Sequence, residues 1–319
     1  MDWETVELRA QFFAAIREFF QGRNYTEVDT PVLCTSPIPE SCLEVFKTQF
    51  LPPSAPERDL FLLPSPEFYM KKMISRHKKS IFQLCHSFRN CESMGRIHNI
   101  EFSMLEYYTI NYTYKDSVAL TEDLLNFLSH KLFATSVFKK PIIITMNEAF
   151  RFAVGHCLED LRDIEAISKV AQSLNLHIPP EASFKDLYEL VFVHCVEPKL
   201  GELGENTPVF LTDYPAAVPC LAKDAENPLY KERWELYING MEIANCYTEE
   251  TDCNEVKKFF ESEKVGKSDA RIPHPVDENY WEIFRNFPPC SGVALGVDRL
   301  FASFLGKKSI DGVTYEIFT

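Results

Sequence analysis

CHSFRNCESMGRIHNIEFSMLEYY, residues 85–108, is the stretch on which the reading of the whole chain turns. Apolar and aromatic segments at residues 81–88 and 100–110 flank a polar loop at residues 90–99, a pattern that predicts strand, loop, strand. The first segment ends at Arg89, and the second carries Glu101, Phe102, Glu106, Tyr107 and Tyr108. A strand pair that brings an arginine and carboxylates to one face predicts a site for an anionic ligand.

Upstream, residues 4–21 place Leu8, Phe12, Phe13, Ile16, Phe19 and Phe20 at helical spacing, with Gly22 where a helix would stop. An extended segment follows and ends at Thr30-Pro31, where proline removes a backbone donor. Residues 52–58 form a proline-rich loop, and Ser65-Pro66-Glu67 reads as a helix start after a short strand. Downstream, residues 116–133, 158–175 and 183–196 read as helices, and residues 141–145 and 208–215 as strands. His156, His177 and His194, in this middle region, read as packing or surface residues rather than ligands.

Residues 232–252, ERWELYINGMEIANCYTEETD, predict a hairpin turning at Asn239-Gly240. Strand parity puts Glu235 with Tyr237 on one face, and Asn245, Tyr247 and Glu249 together on the return strand. The same parity places Glu242 on the opposite face unless the strand is irregular. In CSGVALGVDRLFASFLG, residues 290–306, Gly292 and Gly296 permit close backbone approach, and Asp298-Arg299 precedes an apolar helix.

The 319 residues suffice for a sizeable core, and 45% hydrophobic with 25% charged residues is ordinary for a soluble globular chain. A formal net charge of -14 repels phosphate backbones, so extensive nucleic-acid binding is disfavoured without a local basic patch. The best such cluster is Lys71, Lys72, Arg76, His77, Lys78 and Lys79, read here as a solvated helix face. Ten cysteines without a zinc-like spacing, and a start without an apolar signal region, point to reduced thiols in a cytoplasmic protein. No apolar run approaches the roughly 18 residues of a membrane helix.

The spelling FRN, Glu92, HNIEF closely resembles motif 2 of the class II aminoacyl-tRNA synthetases, and SMLEYY resembles its continuation in the lysine-specific branch. The first helix with its Thr-Pro-aliphatic strand resembles motif 1, and GVDRL resembles motif 3. The resemblance, over roughly residues 9–305, implies an α+β catalytic domain with a mostly antiparallel sheet flanked by helices, and a homodimer built on motif 1. The chain departs from the pattern in a motif 2 loop one residue longer, in Ile100 for proline and in Cys246 for glycine.

The resemblance also implies the chemistry. Arg89 would bridge a substrate carboxylate and the α-phosphate of ATP, with Arg299 and His98 near the outer phosphates. Phe102 would stack on adenine beside Glu92 and Asn99, and Glu235 and Glu242 would hold Mg²⁺, a hard cation suited to carboxylate and phosphate oxygens. Ser65, Glu67, Glu106, Tyr108, Asn245 and Glu249 would receive the two amines of a lysine-like substrate. An acidic amino acid is excluded there by like charge.

For the acceptor, the motif 1 helix begins within the first ten residues, leaving no room for an anticodon-binding domain in a single domain of residues 1–319. With the net negative charge this disfavours tRNA. The match is closest to the truncated paralogues that attach lysine or β-lysine to a lysine side chain of translation elongation factor P. Ala294 stands where lysyl-tRNA synthetases have glycine and these ligases have alanine. Its methyl would crowd an α-amine and leave room for a β-amine. Two other readings compete: a synthetase-like enzyme acylating tRNA or a small molecule, and a non-catalytic regulatory paralogue. Retention of Arg89, Arg299, Glu235 and Glu242 weighs against the second of these.

Overall fold

The computed structural model describes residues 1–40, 43–92, 95–267, 270–315 and 317. Helix α1 (Trp3–Gln21) opens on Asp2, whose side chain accepts from the Thr5 amide at 2.8 Å, and buries Phe12, Ile16, Phe19 and Phe20 on one face. Short strands follow: β1 (Thr26–Glu27), β2 (Leu33–Cys34), β3 (Phe46–Phe50) and β4 (Arg58–Leu62). Then come α2 (Glu67–His77), β5 (Ile81–Phe88), β6 (Glu101–Ile110) and α3 (Tyr114–Phe133).

The middle of the chain forms β7 (Ile142–Thr145), α4 (Met146–Val154), α5 (Ile164–Ser173) and α6 (Phe184–Val191). A π turn at Phe192–Val196 leads into α7 (Glu197–Leu200). The last elements are β8 (Pro208–Pro215), β9 (Tyr230–Ile238), β10 (Met241–Thr248), α8 (Cys253–Gly266), β11 (Cys290–Gly296) and α9 (Val297–Phe304).

Eight strands make one sheet in the order β1-β5-β6-β11-β10-β9-β8-β7. Only its edge pairs, β1 with β5 and β7 with β8, are parallel. A second sheet has the order β2-β4-β3. The fold is therefore the expected α+β arrangement. Helices α1, α3 and α9 cover one face of the central strands, and their apolar residues merge with Leu105, Trp234 and Leu295 into the largest core. A second core lies between α4 to α7 and the β7–β9 side, and a third joins α2, α8 and the small sheet.

The predicted strand at residues 81–88 coincides with β5, and the Asn239-Gly240 turn has the positive φ values, 51° and 78°, that a tight hairpin demands. The helix expected over residues 158–175 is shorter. It starts at Ile164, because Asp163 caps it by accepting from the Ala166 amide at 2.8 Å. Among the described residues all nine cysteines are free, and Cys42 lies outside them. No helix among them is long and apolar enough to cross a membrane.

Candidate active site

Register builds the site. Gln83 faces Glu106, Glu106 faces Ala294, Ala294 faces Asn245, and Asn245 faces Glu235, so one row crosses β5, β6, β11, β10 and β9. Directly opposed residues share a face. A second row, two residues along, runs through Tyr108, Gly292, Tyr247 and Arg233. Over this face lies a cavity of about 440 Å³.

Arg89, Glu92, His98, Asn99 and Phe102 line the cavity from the β5–β6 unit. Glu235, Glu242 and Asn245 line it from the β9–β10 hairpin, and Ala294 and Arg299 from β11 and α9. Glu242 reaches it because a bulge between Glu242 and Ala244 shifts the register by one residue. The side-chain alternation resets there, which removes the parity conflict.

Arg89 packs its guanidinium 5.3 Å from the Phe102 ring centre, and its Nε is buried without a hydrogen-bond partner. Buried donors are ordinarily satisfied, so this one is placed for an acceptor from outside the chain. Arg299 donates from Nε to the Ile97 carbonyl at 3.0 Å and from Nη1 to the Glu242 carbonyl at 2.9 Å. Asp298, beside it, accepts from the Ser103 amide at 2.8 Å and pairs with Arg9 at 2.5 Å, which ties α9 to both β6 and α1. Burial and the Arg299 charge hold the His98 imidazole below its ordinary value, so it is neutral at pH 7.

Glu235 is buried and held by three partners: Arg233 approaches one oxygen at 2.5 Å, while the Tyr214 and Tyr237 hydroxyls donate to the other. Glu242 is half-exposed, with Arg299 at 3.8 Å. Desolvation of its carboxyl at the cavity wall, then the Glu235 charge, pushes it above the ordinary value. Two like charges facing one cavity are eased by a cation. Among the described residues, no group of three or more His, Cys, Asp or Glu side chains is arranged as a metal site.

Ser65, Glu106, Tyr108 and Glu249 do not line the cavity; they form a buried cluster linked to its wall at Glu67. The Ser65 hydroxyl accepts from the Glu67 amide at 3.0 Å and donates to Glu106, which also receives the Tyr108 hydroxyl at 3.4 Å. Burial, then the neighbouring Glu67 charge, pushes the Glu106 carboxyl up to about 8. Glu249, also buried, is pushed up to about 7 despite an ion pair with Lys71. Gly292 makes room for this cluster, since a Cβ there would stand 2.2 Å from Glu249 Oε1 and 2.6 Å from Tyr108 Cε1. At Gly296 the nearest atom to such a Cβ is 3.7 Å away, so no close approach is enforced there.

The basic cluster on α2 is only partly a solvated face. Arg76, His77, Lys78 and Lys79 are exposed, whereas Lys71 is 0% exposed and bridges Glu67 at 2.5 Å and Glu249 at 2.7 Å. Its spacing of four residues from Glu67 on a helix was the available signal. Arg233 was also missed: its guanidinium lies 4.3 Å from the Tyr214 ring centre and 5.4 Å from that of Tyr247. Glu40, another cavity-lining carboxylate outside the sequence motifs, is pushed up to about 7 by burial and by the Glu67 charge. Cys246 points into the opposite core, 3.2 Å from Ser117 Oγ, so its departure from glycine does not alter the cavity.

Residues 3–315 match the family model described as tRNA synthetases class II (D, K and N). The chain is 35% identical over 299 residues to the elongation factor P--(R)-beta-lysine ligase homolog of Aquifex aeolicus, covering 94% of each. It is 35% identical over 318 residues to the elongation factor P--(R)-beta-lysine ligase of Vibrio atlanticus, covering 98% of this chain and 94% of that one. The ligase of the same name from Vibrio cholerae is 36% identical over 313 residues, or 96% of this chain and 93% of its own.

Proposed function

The chain belongs to the class II tRNA synthetases (D, K and N), and on that premise we propose that it is an ATP-dependent ligase acting on translation elongation factor P. It activates lysine or (R)-β-lysine as the adenylate and transfers the acyl group to a lysine side chain of that protein. The observation that carries this reading is the site's polarity. The Nε of Arg89, buried without a partner, stands at the cavity, while Glu67 on its wall and Glu106 and Glu249 behind that wall collect as acceptors for two ammonium groups.

Arg89 binds the substrate carboxylate and the α-phosphate together, a task for a planar guanidinium fork. Phe102 stacks on adenine, with Glu92 and Asn99 at its edge, and His98 and Arg299 face the outer phosphates. Ser65, Glu67, Asn245 and Ala294 surround the α- or β-amine, and Glu106, Tyr108 and Glu249 receive the ε-amine. A substrate carboxylate oxygen forms a bond to the α-phosphorus as the bond to the bridging oxygen breaks and pyrophosphate leaves. The acceptor amine then attacks the acyl carbon, forming an amide, releasing AMP and shedding a proton. Positioning and charge neutralisation supply the rate, so no covalent enzyme nucleophile is needed.

Mg²⁺, which commonly takes one or two carboxylates and completes its shell with substrate phosphates, suits the Glu242–Glu235 pair. It would neutralise charge on the phosphates, with Glu235 contributing the lone pairs left by Arg233 and the two tyrosines. The protein works as a cytoplasmic homodimer, and tRNA is not its acceptor. The net charge of -14, which repels a phosphate backbone, supports the exclusion of tRNA, and the likeness of the first helix and its Thr-Pro strand to motif 1 supports the homodimer.

Intact-mass analysis of elongation factor P after incubation with the protein, ATP and either amino acid tests the acceptor. A gain of one lysyl residue on one lysine is expected. An unmodified elongation factor P alongside charged tRNA would replace this reading with the tRNA one.

A further inference from the structure

Lys71 is the least expected residue of the site. A lysine almost never loses all contact with solvent unless it is paired. Here α2 carries it beneath the cavity wall, where it binds Oε1 of Glu67 and Oε2 of Glu249. Of the two carboxylates, Glu67 reaches the cavity wall, and Glu249 lies buried behind it. Tyr280 and Cys290 are the remaining titratable groups packed around it, with Glu40, Glu106, Tyr108 and Glu250 in the wider cluster. Burial opposes its charge, yet Glu249 and Glu67 outweigh burial and hold the ammonium well above its ordinary range. It is a fixed cation at any working pH.

We propose that Lys71 is a positioning and specificity residue: a resident ammonium that ties Glu67 to Glu249 and holds both carboxylates ionised and in place for the ammonium groups of a diamino acid. This role rests on the lysine-type substrate proposed above. Without Lys71, Glu67, Glu106 and Glu249 would repel one another, take up protons and lose the geometry in which each meets an ammonium. The substrate's own cations do not replace it, because Lys71 already holds one oxygen of Glu67 and one of Glu249 before a ligand enters.

The test is lysine-dependent ATP–pyrophosphate exchange across pH for the full chain, its Lys71→Met variant and its Lys71→Arg variant. In Lys71→Met the KM for lysine rises on the order of a hundredfold at pH 7, and the KM for ATP is unmoved. Its acid limb shifts to higher pH by about one unit, since carboxylates without a counter-ion ionise later. Lys71→Arg keeps a cation between the two carboxylates and recovers at least about tenfold of the lost lysine affinity. It also serves if Lys71→Met alone fails to fold, because it leaves neither Glu67 nor Glu249 without a counter-ion.

A folded Lys71→Met with unaltered lysine KM and pH profile, or a folded Lys71→Arg no better than Lys71→Met, overturns the role while leaving the substrate reading in place. A wild-type chain that exchanges with no diamino acid overturns the substrate reading, and this role with it.

Discussion

Replacing Gly292 by alanine tests the buried amine cluster through its backbone. The added Cβ would stand 2.2 Å from Glu249 Oε1 and 2.6 Å from Tyr108 Cε1, both within a tightly filled layer. Glu249 has to retreat by about 1 Å to reach an ordinary contact distance. Lys71 holds its other oxygen at 2.7 Å, so the carboxylate cannot swing aside without loosening that pair. A misplacement of about 1 Å in a binding group costs roughly a hundredfold in kcat/KM, equivalent to about 2.7 kcal/mol. Overpacking adds a stability loss of about 1–3 kcal/mol. Lysine-dependent pyrophosphate exchange and a thermal melt separate the two effects. The expected outcome is a folded variant with lower Tm and a lysine KM raised far more than the ATP KM. A variant with lowered Tm and native lysine KM would show that Glu249 and Tyr108 do not receive the substrate.

Ala294 sits in the cavity floor between Glu106 and Asn245, so Ala294→Gly removes a methyl beside the amine. It should raise the use of α-lysine relative to (R)-β-lysine by up to about tenfold, read as the ratio of kcat/KM in exchange; an unchanged ratio counts against the assignment. Glu106 gives a pH prediction for the ligand-free protein. Its carboxyl moves from 4.5 in the unfolded chain to about 8 in the folded one, so the folded state binds the proton more tightly. The stability it contributes is fully present below pH 4.5 and lost as pH rises through about 8. Glu106→Gln should flatten that decline, most clearly from pH 7 to 8 where Glu249 has already titrated; denaturant midpoints across pH report it.

Much of the scaffold is legible in the sequence because it rests on local rules. The apolar and aromatic runs of β5 and β6 and the turn chemistry of Asn239-Gly240 are properties of a few neighbouring residues. The second sheet and α8 were not anticipated: β3 is largely exposed and α8 fully buries only Val256 and Phe260, so neither carries a strong apolar pattern. Glu242 faces the cavity through a bulge, a one-residue event that a parity count does not contain. Gly292 and Gly296 look alike in sequence, yet only Gly292 is pressed by its neighbours, and those come from β6 and the end of β10. Lys71 was read with the exposed lysines around it, since its burial depends on Glu249, far away along the chain.

The central claim is that Arg89 and the surrounding carboxylates select a diamino acid for adenylation. ATP–pyrophosphate exchange by the purified chain with α-lysine, (R)-β-lysine, glutamate or no amino acid tests it most directly. The account predicts exchange with one or both diamino acids and none with glutamate or without amino acid. Exchange driven by glutamate, or none with either diamino acid under conditions where the protein is folded, would contradict it.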